Sequence, residues 1–124
     1  MSLERVLHVE DDESIRMVAE IALTDVAGFT LLSCEGGKAA LAQVEAFSPQ
    51  LILLDVMMPE MDGYETMRRI RSSEHIAAIP LIAVTAKAMK GDREKCLEAG
   101  ASDYLAKPVV TDQLLGVLRQ WLHR

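Results

Sequence analysis

Four short, largely apolar runs without polar alternation each stop at a chemically reactive side chain. Leu7-His8-Val9 runs into Glu10-Asp11, and Leu51-Ile52-Leu53-Leu54 into Asp55. Leu81-Ile82-Ala83-Val84 ends at Thr85, and Tyr104-Leu105-Ala106 at Lys107. Short continuous apolar runs are what strands covered on both faces look like, as in a parallel sheet; a sheet wetted on one face would alternate instead. In a parallel sheet every strand ends along the same edge, where open α/β sheets bind their ligands. The four runs therefore predict one edge carrying three carboxylates, a hydroxyl and an ammonium.

The intervening segments read as helices. Residues 14–27 place Ile15, Val18/Ala19, Ala22 and Val26 at helical spacing, with Gly28 as a stop. A strand over 29–34 follows, then a helix opened by Gly36-Gly37 and closed before Ser48-Pro49. A loop with Pro59 and Gly63 leads into a helix through Met67 and Ile70. A helix over 88–99 stops at Gly100. The strand 103–106, Pro108 and a helix over 111–123 come last. Five strand–helix alternations predict an α/β fold, a (βα)5 doubly wound parallel sheet with helices on both faces. Residues 1–124 are expected to form one domain.

Charge and composition narrow the function classes. A net charge of −6 and no basic cluster beyond Arg68, Arg69 and Arg71 argue against direct binding of nucleic acid. No apolar run approaches the ~18 residues of a membrane span. The N-terminus is soon acidic and does not read as a signal peptide. Cys34 and Cys96 stand apart without metal-ligand spacing, as expected of reduced thiols in a cytoplasmic protein. Of the three histidines, His8 reads as a core residue, His75 as a loop residue and His123 as part of a terminal turn. None has the exposed helical setting of a phosphorelay histidine. Trp121 reads as an anchor of the last helix.

The chemistry of the predicted edge is specific. Two like charges ~4 Å apart repel by about 4 kcal/mol at an effective dielectric near 20, so Glu10, Asp11 and Asp55 together call for a cation. An all-oxygen ligand set with open positions suits Mg²⁺, which keeps waters and sits beside phosphate. Asp55 beside such an ion can attack phosphorus, with the Thr85 hydroxyl and the Lys107 ammonium neutralising the phosphoryl oxygens.

With these residues in view, the chain resembles the receiver domain of two-component response regulators, of the chemotaxis-regulator type. The resemblance rests on Val9-Glu10-Asp11-Asp12, Leu54-Asp55-Val56-Met57-Met58-Pro59 with Met61-Asp62-Gly63, Val84-Thr85-Ala86, and Asp103-Tyr104-Leu105-Ala106-Lys107-Pro108. It implies a flavodoxin-like sheet of order 2-1-3-4-5, with the site at the switch point between the first and third strands. It further implies that Asp55 accepts a phosphoryl group from a histidine kinase or phosphotransfer protein. Asp11, Asp55 and the Met57 carbonyl would ligate Mg²⁺, with Glu10 acting through water. Thr85 and Lys107 would bind phosphoryl oxygens, and Tyr104 would change rotamer on activation. Met57 and Lys87 would flank the path of the hydrolytic water and so set the phosphoryl lifetime. The first acid departs from the pattern, being Glu10 where Asp is commoner.

Three other classes compete. A Mg²⁺-dependent phosphatase with an aspartyl-phosphate intermediate uses the same atoms, but such enzymes carry a second acid two residues after the nucleophile, where this chain has Met57. A non-phosphorylated pseudo-receiver scaffold would not need the full acid, threonine and lysine set. A flavodoxin-like nucleotide binder would not place acids in its first loop, where they repel phosphate. The expected role is signalling by protein–protein contact, with catalysis limited to the domain's own phosphorylation and dephosphorylation.

Overall fold

A computed structural model of the protein describes residues 5–26, 28–56, 63–73, 78–85, 92–106 and 111–122. Five parallel strands form one sheet: β1 (Arg5–Val9), β2 (Thr30–Cys34), β3 (Leu51–Asp55), β4 (Leu81–Thr85) and β5 (Asp103–Ala106), in the order β2-β1-β3-β4-β5. The helices are α1 (Glu13–Glu20), α2 (Gly37–Phe47), α3 (Gly63–Arg71), α4 (Asp92–Ala99) and α5 (Thr111–Leu122). This is the flavodoxin-like doubly wound sheet expected from the sequence.

The burial of the strands explains their composition. All five residues of β3 and all five of β4 are buried, whereas β2 and β5 at the edges are largely half-exposed. Alternation along each strand sorts side chains between two cores. Leu7, Val9, Ile52, Leu54, Leu81 and Ala83 pack with Ala40 and Val44 of α2, Met67 and Ile70 of α3, and Cys96 of α4. On the opposite face, Val6, Leu51, Leu53, Ile82 and Val84 pack with Ala19 of α1, Leu23, and Leu114, Leu115 and Leu118 of α5. Burying a leucine side chain contributes about 1.5–3 kcal/mol, so these two layers dominate the favourable side of folding.

The first helix differs from its sequence reading. It is α-helical only to Glu20 and continues as a π-helix over Ile21–Val26 before the chain stops at Gly28. Its buried residues are Ala19, Ala22 and Leu23, while Ile15 and Val18 of the anticipated stripe are 41% and 65% exposed. The wider π turn brings both Ala22 and Leu23 to the sheet, a face that a uniform 3.6-residue period does not predict.

Arginines tie the edge of the sheet away from the strand C-termini. Arg71, at the end of α3, donates from Nε to the Gly100 carbonyl at 2.8 Å, from Nη1 to the Ile79 carbonyl at 2.7 Å and from Nη2 to Ser102 Oγ at 3.3 Å. Its burial draws the guanidinium pKa below the ordinary value. Gly100 has φ +122°, and a Cβ there would stand 2.6 Å from Arg71 Cγ, so glycine both ends α4 and leaves room for the arginine. Arg5 donates from Nε to the Ser48 carbonyl at 2.8 Å, joining the start of β1 to the end of α2. Trp121 donates from Nε1 to Asp103 Oδ2 at 3.1 Å and so anchors α5 to β5.

Candidate functional site

Register places the acids. Val9 pairs with Leu54, Asp55 pairs with Val84, and Thr85 pairs with Ala106. Glu10, one residue beyond Val9, therefore comes level with Asp55, and Thr85 stands one residue further along the next strand. The Glu10 amide donates to the Cys34 carbonyl at 3.0 Å, which carries the β1–β2 ladder one step past the strand. By strand alternation Glu10 follows Val6 and His8, and Asp55 follows Leu51 and Leu53, so both acids project toward the α1/α5 side. One carboxylate oxygen from each of Glu10, Asp11 and Asp55 lies within 4.8 Å of the others.

The three acids differ in their surroundings. Glu10 and Asp55 are each 2% exposed and Thr85 is equally buried, while Asp11 is exposed. Two buried carboxylates beside a third, in a fold that otherwise buries apolar groups, form an arrangement that a divalent cation would relieve. Asp12 serves the helix instead of the ion. Its Oδ1 accepts from the Ile15 amide at 3.0 Å and caps α1, with Glu13 in the first turn where the helix dipole favours an acid. His8 is buried in β1, and Tyr104 is half-buried beside the core of the α2–α4 face. Burial pushes the Cys34 thiol up from its ordinary pKa. Met57, Lys87 and Lys107 lie outside the described residues.

The start of α3 packs closely against the end of β3. At Gly63 a Cβ would stand 2.8 Å from the Asp55 carbonyl oxygen and 2.9 Å from Leu54 Cδ2, and the Gly63 amide donates to the Val56 carbonyl at 3.2 Å. Helix α3 thus begins directly against the backbone that carries Asp55, an approach open only to glycine.

Comparison with known proteins gives the same answer as the geometry: the response regulator receiver domain profile matches residues 6–119. This chain belongs to the response regulator receiver domain family. It is 33% identical over 117 residues to the polar-differentiation response regulator DivK of Brucella ovis, spanning 94% of each chain. It is 40% identical over 122 residues to the transcriptional regulatory protein GltR of Pseudomonas aeruginosa, with 96% of this chain and 49% of that protein covered. The chain spans half or less of the length of several curated relatives it matches, a sensor protein among them. Among solved structures, the receiver domain of a sensor histidine kinase from Pseudomonas aeruginosa is similar at TM-score 0.91 and 36% identity, covering 99% of this chain and 100% of that one. That structure has a magnesium ion coordinated in its active site cleft.

Two residues that touch the backbone of the site escape a reading of sequence motifs. Among the described residues Arg16 binds two main-chain carbonyls and one exposed glutamate, so no residue pattern announces it. Gly63 is visible as a loop glycine, but its contact with the Asp55 backbone is a fact of tertiary packing. Among the described residues, no helix is long and apolar enough to cross a membrane.

Proposed function

We propose that Asp55 is the phosphoryl acceptor of this receiver domain, charged by a phosphohistidine on a histidine kinase or phosphotransfer protein, with Mg²⁺ bound beside it. The observation that carries the reading is the convergence of Glu10, Asp11 and Asp55 within 4.8 Å, two of them buried. The donor set fits the ion: all ligand atoms are carboxylate oxygens, the chemistry Mg²⁺ prefers. The magnesium ion in the Pseudomonas aeruginosa receiver supports the same assignment. Bound Mg²⁺ supplies positive charge against the phosphoryl oxygens.

The protein's own groups do the rest. An Asp55 carboxylate oxygen forms the new O–P bond while the N–P bond of the phosphohistidine breaks, and its electron pair leaves with the imidazole nitrogen. The Thr85 hydroxyl and the Lys107 ammonium receive the phosphoryl oxygens. Asp11, Asp55 and the Met57 carbonyl would hold the ion, with Glu10 acting through water. Thr85 and Tyr104 stand near the ends of adjacent strands, with Thr85 paired to Ala106 and Tyr104 to Ala83. Drawing Thr85 toward a phosphoryl oxygen frees space into which the Tyr104 ring turns, and a downstream protein reads the changed surface.

The test is covalent labelling. Incubation with Mg²⁺ and a small phosphodonor such as acetyl phosphate adds one phosphoryl group by intact mass, and Asp55→Asn abolishes it. Undiminished labelling of Asp55→Asn removes Asp55 from the reaction.

A further inference from the structure

We propose that Arg16 is a positioning residue for the metal site, holding the Asp11 carboxylate in place through the main chain; this rests on the Mg²⁺ reading above. Arg16 lies on α1 and reaches back over the loop it follows. Its Nη1 donates to the Glu10 carbonyl at 2.9 Å and to the Asp11 carbonyl at 3.0 Å. Those two oxygens belong to the peptide planes on either side of the Asp11 Cα. Fixing both planes fixes φ and ψ of Asp11, and with them the direction of its Cα–Cβ bond.

Asp11 needs such support. It is exposed, it sits in the three-residue connection between β1 and α1, and its side chain makes no hydrogen bond among the described residues. Repulsion from Glu10 and Asp55 pushes it outward. The Arg16 side chain is 15% exposed, and its remaining contact is with Glu35 at 3.8 Å. Glu35 is 83% exposed, so that ion pair contributes little, and the two carbonyl bonds are what Arg16 is placed to make. Both bonds come from one guanidinium nitrogen, whose two N–H groups are fixed in the guanidinium plane, whereas a lysine ammonium rotates on a flexible stem.

The sign of the effect separates positioning from charge. A fixed positive charge near a cation site opposes Mg²⁺, so if Arg16 acted only through its charge, removing it would tighten binding. Positioning requires the reverse. By isothermal titration of the folded protein, Arg16→Ala weakens Mg²⁺ about 10-fold, as loss of groups that orient metal ligands does. Arg16→Lys falls between Arg16→Ala and wild type. Glu35→Ala keeps the wild-type affinity.

A second measurement needs no metal. In chelator, NMR order parameters of the Asp11 and Asp12 amides fall in Arg16→Ala and stay at wild-type values in Glu35→Ala. Equal or tighter Mg²⁺ binding by folded Arg16→Ala overturns the proposal, as does a lowered Tm with affinity unchanged. If Arg16→Ala does not fold, Arg16→Lys decides, and wild-type affinity and order in that variant overturn the proposal. If wild type itself binds no Mg²⁺, the functional reading fails, and the metal-free order parameters still decide whether Arg16 holds the loop.

Discussion

Consider the metal-free protein with Asp11 replaced by alanine. The substituted carboxylate is exposed and makes no side-chain hydrogen bond among the described residues, so its removal costs little packing. What is removed is repulsion against two neighbours, Glu10 and Asp55, at separations within 4.8 Å. At that distance each pair repels by about 0.9 kcal/mol in a water-like dielectric and about 3.5 kcal/mol at an effective value near 20. Asp11 faces solvent, so the lower figure governs its own two pairs, while Glu10 and Asp55 feel each other at the higher one. The gap between neighbours is shorter than the Debye length of about 8 Å at physiological salt, so screening leaves most of the effect. Asp11→Ala should therefore stabilise the metal-free fold by about 1–2 kcal/mol and raise its Tm by about 3–8 °C. Added Mg²⁺ narrows the gap. At ten times its dissociation constant it stabilises wild type by about 1.4 kcal/mol, while the variant, short of a ligand, responds weakly. Thermal melts followed by circular dichroism in chelator and in Mg²⁺ measure both effects. A variant that melts at or below wild type in chelator would refute the reasoning, because the carboxylates would then not be in net repulsion.

Two further substitutions probe the loop after β3 and the fate of the phosphoryl group. Gly63→Ala drives a methyl group into the Asp55 backbone and Leu54, and should cost about 1–3 kcal/mol, read as a lowered Tm; an unchanged Tm would mean that α3 is free to draw back. On the proposal that residue 57 flanks the path of water to phosphorylated Asp55, Met57→Asn supplies a polar anchor there and keeps a main-chain carbonyl at 57. Loss of label after donor removal should accelerate about 3–10-fold, the worth of one hydrogen bond to the attacking water, and an equal or slower decay would show that water access from that side does not limit the lifetime.

The residues of β3 and β4 are the most legible part of this fold. A strand buried on both faces has no polar position, so its apolar run is unbroken and its first polar residue marks the sheet edge. The convergence of Glu10, Asp11 and Asp55 follows from parallel topology together with a strand order that sets β1 beside β3, and only the first of these is legible in the apolar runs. Helix α1 is harder. A single helical period describes its stripe poorly, because the segment over Ile21–Val26 winds as a π-helix, and the sheet is met by Ala19, Ala22 and Leu23 while Ile15 and Val18 face water. The role of Arg16 is illegible for another reason: main-chain carbonyls exist at every position, so a side chain that binds them leaves no partner to find in the sequence. Gly63 is legible as a turn residue, and only the packed structure reveals how near it lies to the acceptor.

Among the described residues, Arg5, Arg16 and Arg71 direct their guanidinium groups at main-chain oxygen, two of them at the foot of the sheet. Arg5 and Arg71 between them grip carbonyls of Ser48, Ile79 and Gly100, which ties the strand beginnings to the ends of α2, α3 and α4. The opposite rim is built from groups that repel one another. The molecule is thus braced at its base and loaded at its crown, like an arch whose keystone is an ion. A change of charge at the crown is therefore expected to move the rim and the helix ends beside it more than the braced base, a difference that amide exchange with and without Mg²⁺ would read.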